Sequence, residues 1–179
     1  ARPPRRPPLV IDLSALWAGP LCTQLLGQLG ARVIKVESAT RADGARAGSP
    51  QLFDLLNANK QSVALDLACA RGQRQLHELL QRADIVIESA RPRALEQMGI
   101  QASDMVRAGA GRVWLSITGY GRDAPMRDWV AFGDDAGVAA GAAGRPAAEH
   151  RPFGVHRGRH SARVRPHDSS GRQRLWPLG

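Results

Sequence analysis

"LVIDLSALWAGPLCTQLLGQLGARVIKVES", residues 9–38, decides the fold. Its first six residues are an apolar run rich in branched side chains, the composition of a strand covered on both faces. From Ala18 to Leu29, the apolar residues Leu21, Cys22, Leu25, Leu26 and Leu29 recur at steps of three and four, which places them on one face of a helix. Pro20 suits a first-turn position, where its missing N–H is not needed, and Gly30 suits the C-terminal cap. "RVIKVES" (32–38) is a second strand. The turn into the helix, however, carries Trp17, Ala18, Gly19 and Pro20 where a phosphate-cradling loop carries several glycines.

The alternation continues downstream. Residues 39–50 form a Gly- and Ala-rich loop with Arg41 and Arg46, and "QLFDLLNANK" gives a short helix that breaks near Asn57–Asn59. "SVALDL" (62–67), "DIVIES" (84–89) and "RVWLSIT" (112–118) read as further strands. Between them lie a helix over 70–82, with Leu76, Leu79 and Leu80 inward, and two short helices in "RPRALEQMG" and "ASDMVRAG". Residues 129–143 read as a small-residue helix weakened by Gly133, Gly137 and Gly141. Strands alternating with helices imply right-handed crossovers. The expected fold is α/β, a partial doubly wound (Rossmann-like) parallel sheet of about five strands with a disordered basic tail.

Charge divides the chain the same way. Residues 145–179 hold eight Arg against Glu149 and Asp168, or +6, and Arg2, Arg5 and Arg6 supply the other +3 of the net +9. Residues 9–144 carry 14 basic and 14 acidic side chains, so the body is neutral and the basicity says little about it. The tail has no apolar period and too little aliphatic surface to offset its ordering entropy. The expected organisation is therefore a disordered basic arm (1–8), an incomplete α/β domain (9–144) and a disordered Arg/His/Pro-rich tail (145–179). Such a tail is also what a GC-rich gene yields when read out of frame, so a shifted frame near residue 145 is a live expectation. Nucleic-acid binding through it would be loose and salt-dependent, and no aromatic interleaving supports it. Cys22 and Cys69 lie far from any His cluster, so no metal site is expected, and both read as reduced and buried. No signal peptide and no apolar run of 18 residues occurs, and a cytoplasmic location without a membrane is the default.

Four segments carry a resemblance. "VIDLSALWAGPLCTQLLGQLGARVIKVES", "LNANKQSVALDL", "ADIVIESARPRALEQMG" and "VWLSITGYG" resemble, in order and at compatible spacing, the N-terminal half of the class III coenzyme A transferases, the CaiB/BaiF family. The resemblance covers residues 9–144. It implies coenzyme A or an acyl-CoA as substrate rather than a covalently bound cofactor, a carboxylic acid as acceptor, and a homodimer in the intact family. Leu16, Trp17 and Ala18 match a segment beside the pantetheine or adenosine, with Ala18-Gly19 read as a compact entrance for the ligand; the alternative for Trp17 is a cap on a hydrophobic core. Ser38 stands where some members place an Arg, a charge that Arg41 or Arg46 replaces only if the loop folds back. Leu65, Asp66, Leu67 and Ala68 match a strand end that lines the adenosine site, with Leu65 open between ligand and core. Ser89, Ala90 and Arg91 occupy an E-N-F-x-P-G motif in which Ser89 and Ala90 replace the amide and the ring. Arg91 and Arg93 read as ligand contacts or as solvated charges, and Gln97 stands where an Arg reaches the phosphates.

The family's chemistry resembles covalent carboxylate catalysis, in which an Asp attacks a thioester, becomes a mixed anhydride and then an aspartyl-CoA. The matching Asp would fall in the aberrant tail, so the catalytic residue here is unknown. Asp168 lacks an apolar strand to hold it, and Asp134 and Asp135 read as first-turn helix charges. The α-methylacyl-CoA racemase branch is disfavoured, because Asp134 stands at the position of its His. The expectation is a truncated, weakly active or inactive CoA-transferase, with a non-catalytic CoA or acyl-CoA binding module as the alternative.

Overall fold

The computed structural model describes residues 6–133, 135 and 137, together with the backbone of 153–157 and 160–162. Five strands, β1 (Leu9–Leu13), β2 (Arg32–Ser38), β3 (Gln61–Leu65), β4 (Ile85–Glu88) and β5 (Val113–Ile117), alternate with helices. These are α1 (Ala18–Gln28), α2 (Ala45–Gly48), α3 (Pro50–Asn57), α4 (Ala70–Arg82), α5 (Pro92–Glu96) and α6 (Ala102–Ala108). The strands pair in the order β3-β2-β1-β4-β5, all parallel. The chain thus leaves β1 toward one side for β2 and β3, then returns to β1's other side for β4. In such sheets the crevice at that reversal, outside the carboxyl ends of the strands, is where ligands sit.

Two segments of the stretch expected to be disordered, β6 (Phe153–Arg157) and β7 (His160–Ala162), continue the sheet antiparallel beyond β5. The rest of that expectation, including Asp168, lies outside the described residues.

Alternating side chains fill two cores. Ile11, Val36, Leu65, Val86 and Trp114 pack with Leu76 and Leu80 of α4, Leu95 of α5 and Val106 of α6 on one face. Val10, Val33 and Ile87 pack on the other against Cys22 and Leu26 of α1. That second face is thinner, and Leu115 and Ile117 of β5 remain half-buried on it.

The single apolar face expected of α1 is split. Gly19, Pro20 and Thr23 are its buried residues, with Cys22 and Leu26 half-buried, while Trp17, Leu21, Leu25 and Leu29 form a solvent-facing stripe at four-residue steps. The helix lies close because Gly19 presses on the sheet: a Cβ there would sit 2.1 Å from Ser14 Oγ. Close approach turns the small-residue side inward and the leucines of the 21–25–29 row outward.

Other departures are local. The loop over 39–50 contains the one-turn helix α2; of the expected 129–143 helix, residues 129–132 are not helical, residues 133, 135 and 137 are, and 134, 136 and 138–143 lie outside the described residues. Cys69 is exposed, not buried, because its Sγ caps α4 by accepting from Gly72 N. Arg112 clasps two helix ends, donating to the carbonyls of Gln81, Ala83 and Met105 at 2.6–3.0 Å. Those carbonyls belong to helix C-terminal turns, where a cation is favoured.

Candidate functional site

Most of the residues expected to hold a ligand meet at the carboxyl edge of the parallel sheet. Leu16, Trp17 and Ala18 follow β1, Ser38 ends β2, Asp66–Ala68 follow β3, and Ser89–Arg91 follow β4. The crevice between β1 and β4 is closed at its base by Ala15 N, which donates to Ser89 Oγ at 3.1 Å. Leu16, Trp17 and Ala18 are exposed, and Trp17, at 64% exposure, is not the core cap that was one of its two readings. Asp66 Oδ1 accepts from Ala68 N at 3.1 Å, an Asx turn that shapes the loop before α4.

Three positions lie away from the exposed rim. Leu65 is 6% exposed and belongs to the core, so it presents no side chain to this edge. Gln97 is exposed at the far end of α5, one helix removed from the strand ends. Gly19 makes room for the Ser14 side chain rather than for a ligand. The two arginines of the following loop also separate. Arg46 is held by Glu37 at 2.7 Å and stacks 3.9 Å from the centre of the Phe53 ring. Arg41 does fold back: residues 38 and 41 form an antiparallel bridge with Arg41 N on Ser38 O at 3.2 Å. Its side chain is exposed, with no ion-pair partner among the described residues, and the same holds for Arg91 and Arg93.

Behind the exposed rim lies a set of buried charges that sequence reasoning missed. Lys35 and Asp43, each with a side chain 1% exposed, pair at 3.0 Å. Lys35 Nζ also donates to Ser14 O at 2.9 Å, while Asp43 Oδ1 accepts from Leu16 N at 3.1 Å and Ala45 N at 3.0 Å. Burial pushes the Asp43 carboxyl up, but those two N–H groups and the Lys35 ammonium outweigh it and hold the group below its ordinary value. Beside it, Glu37 is likewise lowered, by its hydrogen bond from Arg46.

The second pair is Lys60 with Asp12, at 3.1 Å, side chains 2% and 0% exposed. Lys60 Nζ also reaches Pro20 O at 2.8 Å, Thr23 Oγ1 at 2.7 Å and Asn57 Oδ1 at 2.9 Å. Asp12 further accepts from Thr23 Oγ1, Ser14 N and Ser14 Oγ. Burial pulls the Lys60 ammonium down, with Asp12 opposing, and the net position is below the ordinary lysine value. Burial also pushes the neighbouring Cys22 thiol up, which keeps it protonated. The sequence signals that Asp12 and Lys35 need partners, though not which ones: each sits among apolar neighbours in a strand covered on both faces, where unpaired charges are not tolerated.

On the opposite face, the fully buried Glu88 accepts from Arg122 Nη1 at 2.8 Å and from Ala90 N at 2.8 Å. Burial raises its carboxyl above the ordinary value, against the Ser116 hydroxyl, Arg122 and Ala90 N–H. The Trp114 indole N–H makes no hydrogen bond of good geometry but lies near enough to favour the charged form of Glu88. Glu88 thus ties the loop after β5 to the turn after β4.

The sequence pattern of CoA-transferase family III matches residues 8–159. The chain belongs to CoA-transferase family III. The match begins one residue before, and ends beyond, the 9–144 span of the sequence resemblance. Among the relatives, the succinyl-CoA–D-citramalate CoA-transferase of Chloroflexus aurantiacus is 36% identical over 143 residues, 74% of this chain and 35% of that protein. The succinyl-CoA:glutarate CoA-transferase of Mus musculus is 36% identical over 124 residues, 65% of this chain and 28% of that protein. Among solved structures, Rv3272 of Mycobacterium tuberculosis superimposes with a TM-score of 0.68 at 31% identity, covering 81% of this chain and 41% of that one. A CaiB/BaiF protein of Brucella suis gives 0.67 at 28%, covering 75% and 38%. The family III chain described here therefore spans about a third of the length of these curated relatives. Among its described residues, no helix is long and apolar enough to cross a membrane.

Proposed function

We propose that this chain binds the coenzyme A portion of an acyl-CoA at the carboxyl edge of its sheet, over the β1–β4 crevice, and serves CoA transfer from a thioester to a carboxylic acid. One observation carries the reading: loops from four successive strands, each singled out from sequence, converge on the one edge where a doubly wound sheet holds ligands. Trp17 offers an exposed ring for stacking, and Arg41, Arg91 and Arg93, without ion-pair partners among the described residues, offer cations for phosphates. Ser38, Asp66, Leu67, Ala68, Ser89 and Ala90 would line the remainder. The solvent-facing stripe of Leu21, Leu25 and Leu29 favours a homodimer, and the acyl-CoA is taken from the cytoplasmic pool.

Transfer itself needs a free carboxylate beside oxyanion donors. Asp12, Asp43 and Glu88 are each engaged by a cation, and Asp66 caps its own turn. This favours ligand binding by the described residues over covalent chemistry by them. Calorimetric titration of the chain with coenzyme A tests the binding, and absence of heat at millimolar ligand rejects it. Incubation with succinyl-CoA followed by intact-mass measurement tests the chemistry. An unchanged mass with retained affinity leaves a binding module; an aspartyl-CoA adduct establishes the transfer step.

A further inference from the structure

Leu16 is a non-glycine residue held at φ +69°, in the left-handed region that a branched apolar side chain seldom adopts. No side-chain cap orders the start of α1, so the helix does not by itself fix this turn. What surrounds it is the buried pair. Asp43 Oδ1 accepts from Leu16 N, Asp43 Oδ2 accepts from Lys35, and Lys35 in turn donates to Ser14 O, two residues before Leu16. The Leu16 side chain rests on the loop that carries Asp43, its Cδ2 being 3.5 Å from where a Cβ on Gly44 would lie. Beyond the turn, in the first residues of α1, Lys60 donates to Pro20 O. The turn after β1 and the first residues of α1 are thus pinned at the Ser14 carbonyl, the Leu16 amide and the Pro20 carbonyl by groups from β2 and from the loops after β2 and α3.

We infer that Asp43 and Lys35 are positioning residues for ligand binding: their buried pair holds Leu16 in the left-handed conformation and so sets where Leu16 and Trp17 stand at the mouth of the β1–β4 crevice. The chemistry demands a carboxylate. Both oxygens of Asp43 face donors, so an amide at this position must turn an NH2 group toward either Leu16 N or Lys35 Nζ. Neither residue touches the ligand in this arrangement; they act through the turn. The consequence for affinity rests on the coenzyme A reading above, whereas the conformational claim does not.

The test is a double-mutant cycle on the full chain with Asp43→Asn and Leu16→Gly, read by calorimetric titration with coenzyme A and by amide hydrogen exchange at residue 16 without ligand. Asp43→Asn is expected to weaken coenzyme A binding about tenfold, and Leu16→Gly to recover most of that loss, because glycine occupies the left-handed region without Asp43's help. A purely structural role for Asp43 gives the same loss in both backgrounds and overturns the inference, as does unchanged affinity in Asp43→Asn. If the parent chain binds no coenzyme A, the ligand reading fails, and exchange still decides the clamp. Residue 16 protected in the parent and exchanging about tenfold faster in Asp43→Asn upholds it; equal rates overturn it. If Asp43→Asn does not fold, Leu16→Val, which spares the ion pair, takes its place. A β-branched residue resists this φ, and exchange at residue 16 as slow as in the parent contradicts the inference.

Discussion

Replacing Lys60 by Met measures what the buried charges contribute. The substitution keeps most of the volume and removes an ammonium that faces Asp12, Thr23, Asn57 and Pro20 at 2.7–3.1 Å. Asp12 is then left at zero exposure with no ion-pair partner among the described residues. Breaking one side of a buried pair costs about 3–5 kcal/mol. Asp12 keeps hydrogen bonds from Ser14 N, Ser14 Oγ and Thr23 Oγ1, which places the expected loss at the lower end, about 3 kcal/mol. For a chain of this size that lowers Tm by roughly 6–12 °C. The assay is urea unfolding followed by circular dichroism at pH 8. Adding Asp12→Asn should recover about half of the loss, since the Thr23 hydroxyl can turn to accept from the new NH2. A Lys60→Met chain within about 0.5 kcal/mol of the parent at pH 8, well inside the ordinary range for surface changes, refutes the reasoning.

Glycines at three positions should respond with opposite signs. Gly72→Ala puts a Cβ 1.9 Å from the Asp66 carbonyl oxygen and should cost about 3 kcal/mol in urea unfolding. Gly27→Ala meets only Val33 Cγ2 at 3.6 Å inside α1 and should add about 0.5–1 kcal/mol. Gly30→Ala finds open space but φ +94°, so its cost of about 1 kcal/mol is purely conformational. Because Asp43 and Glu37 ionise below their ordinary values, their stabilisation is complete above pH 4.5, the ordinary glutamate value, and is lost as pH falls through their folded values. Asp43→Asn should flatten that acid limb in unfolding curves taken from pH 6 down to pH 2.5. Arg41→Ala should weaken coenzyme A binding several-fold in a calorimetric titration while leaving Tm within 1–2 °C, since its side chain is exposed and has no ion-pair partner among the described residues.

The five parallel strands were legible because each is an apolar run bounded by breakers, and α4 was placed at its observed ends by its three leucines and its flanking small residues. Period alone failed at α1. Leu21, Leu25 and Leu29 share a face on paper, but Gly19 and Thr23 win the sheet side because only small groups permit contact with Ser14 and Asp12. The helix expected from residue 129 begins only at Gly133, so the glycines expected to weaken it do not mark where it fails. The rim of the site was readable from motif order, since loops after parallel strands must gather at one edge. Its supports were not. Lys35 reaches Asp43 and Lys60 reaches Asp12 across 8 and 48 residues, and only the register that sets β1 beside β2 and β4 reveals which charges share an interior. Leu65 was undecidable from sequence because the last residue of a strand can face either the core or the ligand.

The most direct measurement is an amide chemical-shift map of the isotopically labelled chain titrated with coenzyme A. The expected result is saturable shifts confined to residues 14–18, 38–41, 66–69 and 89–91, with Arg32, Gln61 and Gly111 at the amino edge unmoved. Shifts centred on that opposite edge, or none at saturating ligand, would contradict a coenzyme A site over the β1–β4 crevice.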